Sequence, residues 1–251
     1  MVMVLGVVIP VYCGSQRIGA VVTALRSALE AQRLQGRLVL VEDGSDAASR
    51  ATVTSLWETL HGVTAILLAR NVGQQRALHI GMQYLPDCDV IVTMDDDGSH
   101  PPEVLGQMLS QLHQGADVCY AIPNARSIAP WRKTGAWLRD VLFRTCLGLP
   151  PGIRVSAYRM MRQEVAQAIH PEADGFLYLS AAIMQHRPKV TNLHYAAAPE
   201  PASRYTPTKL IRLYIALLAH YTFVRNVLPG HRAPCHSEAT VLPGRGMLWE
   251  P

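Results

Sequence analysis

The sequence predicts an α/β fold in which a mostly parallel central sheet is flanked by helices. Apolar segments of strand length alternate with helical segments from residue 3 to residue 122, the pattern of successive βαβ units. The strand-like segments are apolar on both faces, as expected where helices cover both sides of a parallel sheet. With 251 residues, 49% apolar and 17% charged, the chain suits one large α/β domain or at most two small ones.

Each element follows from its local pattern. Uninterrupted apolar runs predict strands at residues 3–9, 37–41, 63–69, 89–94 and 117–122, and the segments between them predict helices near residues 16–34, 46–60, 74–84 and 102–114. Beyond these, helices are predicted at residues 131–148, 160–170 and 176–186, with a break at 149–152 (LPPG) and a strand at 189–197. No repeat or linker interrupts this order, so residues 1–206 are predicted to form one domain.

The remaining residues have a different composition. Residues 207–228 contain an apolar stretch, 213–219, that is far shorter than the roughly 20 residues needed to span a bilayer. Arginine flanks it, and no acidic residue occurs between Glu200 and Glu238. This pattern favours equally a membrane-interfacial helix and a helix packed on the domain. Residues 229–251, rich in Pro, Gly, His and Arg, predict an unstructured tail.

Charge is distributed unevenly along the chain. Residues 1–104 carry 7 Arg and 11 Asp or Glu, a net charge of −4, whereas the remainder carries 16 basic and 8 acidic residues, a net charge of +8. An acidic half indicates a cation site, and a basic half indicates an anionic partner. The basic residues are not interleaved with stacking aromatics, so we expect no nucleic acid partner. The five cysteines form no C-x-x-C pair, which argues against zinc and disulfide frameworks.

Three adjacent carboxylates, Asp95, Asp96 and Asp97, follow the strand predicted at residues 89–94. They therefore lie at the carboxyl end of a strand, where open α/β sheets bind their ligands. Crowded carboxylates repel one another unless a cation holds them, and a hard divalent ion shared with phosphate oxygens is the usual solution. The cluster predicts a metal and phosphate site, with a solvated acidic turn as the alternative.

Four segments, taken in their order and spacing, carry a resemblance to a known family. They are residues 8–12 (VIPVY), 41–45 (VEDGS), 70–81 (RNVGQQRALHIG) and 94–103 (MDDDGSHPPE). Together they resemble glycosyltransferase family 2, which has the GT-A fold. Within that family the sequence is most similar to polyprenyl-phosphate glycosyltransferases, such as dolichyl-phosphate mannose synthases and bacterial undecaprenyl-phosphate sugar transferases.

The resemblance implies an inverting transfer of a sugar from a nucleotide-sugar donor, with Mg²⁺ or Mn²⁺ as cofactor. Asp97 and Asp95 match the D-x-D motif, and the ion that they hold is expected to neutralise the charge growing on the leaving diphosphate. The residues implied to bind the nucleotide sugar are Pro10, Tyr12, Glu42, Asp43, Arg70, Gly73 and Asp95. Asp96 is expected to point away from the ion, because alternate residues of an extended segment face opposite sides.

The second half of the chain matches the polyprenyl-phosphate group in part. Residues 158–159 (YR) match its F-R pair, and residues 203–205 (SRY) match its S-x-Y segment. The resemblance implies that Arg159 is catalytic and that Arg159, Arg162 and Arg204 bind the acceptor phosphate. The chain departs from the group at residues 121–123 (AIP), where G-x-R is expected, at Ala198 and at Ser99, where a glutamine metal ligand is frequent.

The expected acceptor is a polyprenyl phosphate. A sugar hydroxyl needs a general base, whereas a lipid phosphate is already an anion and needs cationic guidance. Between Val118 and Arg162 eight basic residues stand against one acid, Asp140, which favours the phosphate over a solvated basic face. A soluble glycan or metabolite acceptor stays open, as does a degenerate relative that binds a nucleotide sugar without turnover. The N-terminus lacks the charged region of a signal peptide, so we expect a cytoplasmic location, and the basic and apolar segment 207–228 favours peripheral contact with the cytoplasmic face of the membrane.

Overall fold

A central sheet of eight strands organises the structure, a computed structural model that describes residues 3–124, 144, 148–171, 176–196 and 238–244. In chain order the strands are β1 (Val4–Val11), β2 (Gln35–Glu42), β3 (Val63–Leu68), β4 (Val90–Thr93), β5 (Val118–Pro123), β6 (Arg159–Arg162), β7 (Val190–Tyr195) and β8 (Ala239–Leu242). The helices are α1 (Ile18–Gln32), α2 (Ala47–Thr59), α3 (Gln74–Met82), α4 (Leu105–His113), α5 (Gln163–Gln167) and α6 (Leu179–Gln185), with a 3-10 turn at Pro102–Val104.

The strands lie across the sheet in the order β7-β5-β6-β4-β1-β2-β3-β8. β1 is parallel to both of its neighbours, β2 and β4, and β2 is parallel to β3. β5 and β7 are also parallel to each other, whereas β6 is antiparallel to β4 and β5, and β8 is antiparallel to β3. The predicted fold class, a mostly parallel sheet flanked by helices, is confirmed.

Two apolar clusters, one on each face of the sheet, form the core. Leu5 and Val7 of β1 belong to a cluster with residues of α1, α2 and α4, whereas Val8 belongs to a cluster with residues of α3, α5 and α6. This alternation follows from the two-residue repeat of a strand and explains why the strands are apolar on both faces. Gly81 lets α3 approach the sheet closely, because a Cβ there would lie 2.4 Å from a methyl carbon of Val8.

Two elements differ from the sequence prediction. A single helix over residues 160–170 is wrong for its first part, because β6 occupies Arg159–Arg162 and the helix covers Gln163–Gln167. Arginine and methionine favour helices locally, but this segment pairs with β4 on one side and β5 on the other. An unstructured tail over residues 229–251 is wrong for Ala239–Leu242, which pair with β3.

Several predictions concern parts of the chain for which no structure is described. The helix predicted at residues 207–228, the domain boundary at residue 206 and nearly all of the helix predicted at 131–148 lie outside the described residues. Among the helices that are described, none is long and apolar enough to cross a membrane.

Candidate active site

The carboxyl ends of β1, β2, β3 and β4 meet at one edge of the sheet, because these four strands are parallel. We call this edge the site edge. Tyr12 follows β1, Asp43 follows β2, Arg70 lies beyond β3, and Asp95 lies beyond β4. Hydrogen bonds join these connections to one another, from the loop after β3 to Asp43 and from Tyr12 to Asp96. The structure therefore brings all four sequence segments together.

Asp95 is held at the site edge through both its side chain and its backbone. The amide nitrogen of Gln74, the first residue of α3, donates to Oδ1 of Asp95. The backbone N–H of Asp95 donates to Nδ1 of His100 at 2.9 Å, and Nε2 of the same ring lies 3.7 Å from Oδ2 of Asp95. Helix α3 and the turn after β4 thus fix this carboxylate from two directions.

The surroundings of Asp95 oppose its negative charge. Burial, followed by the neighbouring charge of Asp97, raises the pKa of Asp95 to about 6. The Arg159 guanidinium and the hydrogen bond from Gln74 act in the opposite direction, but they do not outweigh the first two. A divalent cation would relieve this destabilisation, because it attracts both carboxylates at once.

Asp97 is the more exposed member of this pair. Its Oδ1 accepts the backbone N–H of Ser99 at 2.9 Å. Burial acts to raise the pKa of Asp97, but the hydrogen bonds from Ser99, together with the charge of Arg17, help to lower it below its usual value. Asp97 also lines a groove of about 280 Å³ between α1 and residues 97–102. This space leaves room for ligand oxygens beside the carboxylate.

The residues present fit a divalent ion that is only partly ligated by protein. No group of three or more His, Cys, Asp or Glu side chains that could hold a metal occurs among the described residues. Asp95 and Asp97 together offer carboxylate oxygens, the ligands that Mg²⁺ and Mn²⁺ prefer. An ion held by these two residues would take its other ligands from phosphate oxygens and water, as Mg²⁺ commonly does.

Asp96 contacts the loop after β1, and its expected orientation away from the ion stays a prediction. One of its oxygens, Oδ2, accepts the backbone N–H of Tyr12 at 3.4 Å, and the other lies 3.7 Å from the Arg17 guanidinium. Gly14 is needed for this approach, because a Cβ there would lie 2.2 Å from Oδ2 of Asp96. The middle carboxylate therefore ties the turn after β4 to the loop after β1.

Glu42 and Asp43, predicted to bind the nucleotide, are buried and already bonded within the protein. Asp43 is 2% exposed, and its two oxygens accept the backbone N–H groups of Val72 at 2.7 Å and Gly73 at 3.0 Å. Glu42 is fully buried and accepts the backbone N–H of Ser45 at 2.7 Å. Both carboxylates brace loops of the site edge, a role that the sequence analysis missed; their contact with a nucleotide stays a prediction.

The other residues predicted to bind the nucleotide differ in exposure. Tyr12 is 54% exposed and Arg70 is also exposed, so both side chains are accessible at the site edge. Pro10 is buried within β1, where it pairs with Val41 of β2. Tyr12 and Arg70 are therefore the most exposed members of the predicted set.

Arg159 is buried, and its positive charge favours the ionised form of Asp95. It is 2% exposed, its Nη1 donates to the Ser180 hydroxyl at 3.1 Å, and its guanidinium carbon lies 5.8 Å from the centre of the Tyr120 ring. Burial lowers the pKa of Arg159. Direct binding of an acceptor phosphate, as predicted from sequence, does not fit so enclosed a side chain. The structure instead makes Arg159 the buried counter-charge of Asp95.

Arg162 lies at the amino end of β4, on the side of the sheet opposite the site edge. The prediction that it binds the acceptor phosphate is therefore wrong. Arg162 pairs with Val90 at the amino end of β4, because β6 runs antiparallel to that strand. Its guanidinium donates to the carbonyl of Leu112 at 2.6 Å and lies 3.6 Å from the Asp117 carboxylate. Arg162 therefore supports the end of α4. Arg204, the third predicted phosphate ligand, lies outside the described residues.

Three residues of the site were missed from sequence. Gln74 belongs to the segment 70–81 but was not singled out. A polar residue at the start of a helix that begins at the site edge could have indicated a role in the site. His100 belongs to the segment 94–103 but was given no role of its own. Ser180, which fixes Arg159, carries no signal in a single sequence because its contact depends on how α6 packs.

Comparisons with known proteins agree with this geometry. The family model described as "Glycosyl transferase family 2" matches residues 6–169. An undecaprenyl-phosphate 4-deoxy-4-formamido-L-arabinose transferase from Salmonella choleraesuis (strain SC-B67) is 27% identical over 220 residues, which cover 86% of this chain and 67% of that protein.

Solved structures share the fold at low sequence identity. Glucosyl-3-phosphoglycerate synthase from Mycobacterium tuberculosis, in complex with Mn²⁺, uridine-diphosphate-glucose and phosphoglyceric acid, superposes with a TM-score of 0.61 at 16% identity, covering 90% of this chain and 81% of that one. Mannosyl-3-phosphoglycerate synthase from Rubrobacter xylanophilus superposes with a TM-score of 0.64 at 10% identity, covering 97% and 88%. These similarities establish that the chain has the GT-A fold.

Proposed function

The chain belongs to glycosyltransferase family 2. We propose that it transfers a sugar, with inversion, from a nucleotide-sugar donor to a polyprenyl phosphate. One observation carries the proposal: Asp95 and Asp97 follow the carboxyl end of β4, and burial together with the charge of Asp97 disfavours the ionised form of Asp95, an arrangement that suits a bound cation. The choice of acceptor is supported by the similarity to a relative named for transfer to undecaprenyl phosphate.

The reaction exchanges one bond at the anomeric carbon of the sugar. An oxygen of the acceptor phosphate attacks that carbon, the bond to the donor diphosphate breaks on the opposite face, and the nucleoside diphosphate leaves with the electron pair. The acceptor needs no general base, because a phosphate monoester is already anionic at neutral pH. This agrees with the second half of the chain, which is rich in basic residues.

The residues at the site edge have three proposed roles: to bind the metal ion, to bind the donor and to balance charge. Asp97 and Asp95 would hold Mg²⁺ or Mn²⁺, and the bound ion would neutralise the departing diphosphate. Gln74 orients Asp95 by donating to Oδ1, and the charge of the buried Arg159 partly offsets the burial and the neighbouring charge that raise the pKa of Asp95. Tyr12, accessible after β1, is proposed to contact the nucleoside.

We place the reaction at a membrane surface, because the hydrocarbon chain of the acceptor stays in the bilayer. Between residues 200 and 238 the sequence carries several basic and no acidic residues, which favours contact with anionic lipid headgroups. Peripheral contact of this kind requires no membrane-spanning helix.

The first test is a transfer assay with purified protein. The protein is incubated with a panel of nucleotide sugars and Mn²⁺, with undecaprenyl phosphate, 3-phosphoglycerate or no acceptor, and both nucleotide release and glycosylated product are measured. We expect one donor to yield a lipid-linked sugar, with loss of product in EDTA. Product on 3-phosphoglycerate alone would overturn the lipid assignment, and no turnover with any donor would favour a binding protein without activity.

Two aspartate variants sharpen the metal assignment. Asp97→Ala is expected to reduce transfer by at least two decades without unfolding the protein, since the side chain is exposed beyond a strand and not packed in the core. Asp87→Ala is the matched control, because it removes an exposed carboxylate that lies 3.8 Å from Arg37, away from the site edge. Equal activity of the two variants would remove Asp97 from the metal site.

A further inference from the structure

His100 occupies a buried position under the turn that carries Asp95 and Asp97. The residue is 8% exposed, and its ring stacks on that of Tyr158, with centroids 4.7 Å apart and planes inclined by 16°. The Tyr158 hydroxyl donates to the carbonyl oxygen of Pro101 at 2.9 Å. Packing and this hydrogen bond together hold the imidazole in one orientation.

That orientation directs one ring nitrogen to the backbone of Asp95. The Asp95 N–H donates to Nδ1 of His100 at 2.9 Å. A ring nitrogen that accepts a hydrogen bond carries no hydrogen, so in this arrangement the hydrogen of the neutral ring lies on Nε2. Nε2 is also the nitrogen that lies 3.7 Å from the Asp95 carboxylate. One ring therefore contacts Asp95 at both its backbone and its side chain.

The turn has further ties, which show what His100 adds. Ser99 donates its N–H to Asp97, and the Tyr195 hydroxyl lies 3.4 Å from the carbonyl oxygen of Ser99. Both contacts hold the far half of the turn, around Asp97 and Ser99. The hydrogen bond from the Asp95 N–H to His100 instead holds the first half of the turn, because it links residue 95 to residue 100.

We propose that His100 is a positioning residue for the metal site. By accepting the Asp95 N–H, it sets the start of the turn so that the carboxylates of Asp95 and Asp97 converge on one cation. This inference rests on the proposed metal-dependent transfer and assigns the effect to the acceptor nitrogen, Nδ1. Loss of such an indirect partner of a metal ligand typically weakens metal affinity by about 10- to 100-fold.

Two isosteric variants separate the acceptor from the ring. In His100→Asn the side-chain oxygen can occupy the place of Nδ1 and accept the Asp95 N–H, whereas in His100→Gln the amide reaches the place of Nε2 and leaves that N–H without its partner. Both variants lose the stack on Tyr158 equally, so any difference between them reports the acceptor. His100→Leu, which lacks both functions, gives the lower limit, and thermal melts verify that each variant is folded.

Two measurements on the full chain test the inference. Mn²⁺ affinity, measured by electron paramagnetic resonance with saturating uridine diphosphate as the source of phosphate ligands, should stay within about threefold of wild type in His100→Asn and fall about 10-fold or more in His100→Gln. Amide hydrogen exchange at Asp95 should be slow in the wild type and in His100→Asn and faster in His100→Gln. The exchange measurement needs neither metal nor turnover.

The outcomes distinguish this inference from the proposed function. Equal Asp95 exchange in the Asn and Gln variants, or equal loss of Mn²⁺ affinity, would overturn the positioning role even if wild-type protein glycosylates lipid phosphate. Slow Asp95 exchange that depends on the acceptor at position 100 would support the closed turn. If wild-type protein bound no Mn²⁺ even with uridine diphosphate present, the metal site would be rejected, and the positioning role of His100 would be rejected with it.

Discussion

At the scale of single residues, Asp95 is held in a position that disfavours its negative charge. Its carboxylate is brought close to Asp97 and withdrawn from water, while Gln74 and Arg159 partly stabilise its charge. A residue so placed destabilises the metal-free protein and gains from a bound cation, which is a common property of ligand-binding carboxylates.

The first prediction concerns the pH dependence of stability. The pKa of Asp95 is raised to about 6, so the folded protein binds this proton more tightly than the unfolded chain, and ionisation costs stability as pH rises from about 4 to about 6. Asp95→Asn should therefore stabilise the metal-free protein by about 1–3 kcal/mol at pH 7.5 and have little effect at pH 4. Thermal melts at the two pH values measure this. Asp87→Asn is the exposed control, and an equal gain at both pH values would contradict the account.

The second prediction concerns Gly44, which sets the distance between the loops after β2 and β3. Its φ is +58°, and a Cβ there would lie 2.2 Å from the carbonyl carbon of Arg70. Gly44→Ala should destabilise the protein by more than the roughly 1 kcal/mol that a left-handed alanine costs, because backbone must move. Gly148→Ala is the control, since φ there is +66° and no atom lies within 4 Å of the added Cβ. Chemical denaturation compares the two variants, and equal losses would show that the contact with Arg70 relaxes easily.

The sequence allowed part of this site to be predicted. Asp95 and Asp97 could be identified because consecutive acids after an apolar strand form a local pattern. The burial of Arg159 could not, because it depends on Ser180 and Tyr120, which are distant in sequence. A single sequence gives the identity of a charged residue, whereas its accessibility follows from the packing of several elements.

At the scale of elements, β6 shows why a local pattern can mislead. Its residues, RMMR, favour a helix intrinsically, yet both of its edges are paired, with β4 and with β5. The antiparallel direction of β6 also decides which of its arginines reaches the site edge: Arg159 pairs with Thr93, and Arg162 with Val90. Strand direction is a long-range property, so the sequence predicted both arginines at one site.

The third prediction concerns β8, which covers the outer edge of β3. Besides the strand pairing, the Trp57 ring nitrogen donates to the carbonyl of Pro243 at 3.0 Å, and the Gly244 N–H donates to the Thr64 hydroxyl at 3.0 Å. A chain that ends at residue 237 should melt several degrees lower and aggregate more readily, because it exposes an unpaired strand edge. A chain that ends at residue 244 keeps β8 and is the control. Light scattering and thermal melts compare them, and identical behaviour would show that β8 adds no stability.

At the scale of the whole molecule, the two halves of the chain differ in charge as the proposed reaction requires. The first half supplies the acidic site edge, and the second half supplies most of the positive charge. An anionic donor bridged by a cation and an anionic acceptor guided by basic residues would use these two halves separately.

The fourth prediction follows from this charge distribution. The protein should sediment with vesicles that contain anionic lipid and not with neutral vesicles, and binding should weaken as salt rises from 50 mM to 500 mM (about the range over which surface charge is screened). Replacing Lys209 and Arg212 together with glutamine should reduce sedimentation, whereas replacing Arg26 and Arg33 of the first half should not. Binding that is insensitive to both lipid charge and salt would argue against an electrostatic membrane contact.

The pairing of β8 with β3 has a consequence for the synthesis of the chain. Leu68 pairs with Ala239, a residue that leaves the ribosome 171 residues later. At a translation rate of about 5–20 residues per second, the outer edge of β3 waits roughly 9–34 s for its described partner strand. During that interval the nascent sheet presents a free strand edge to other nascent chains. Slowing translation between these two strands should therefore lower the yield of soluble protein more than slowing it before β3.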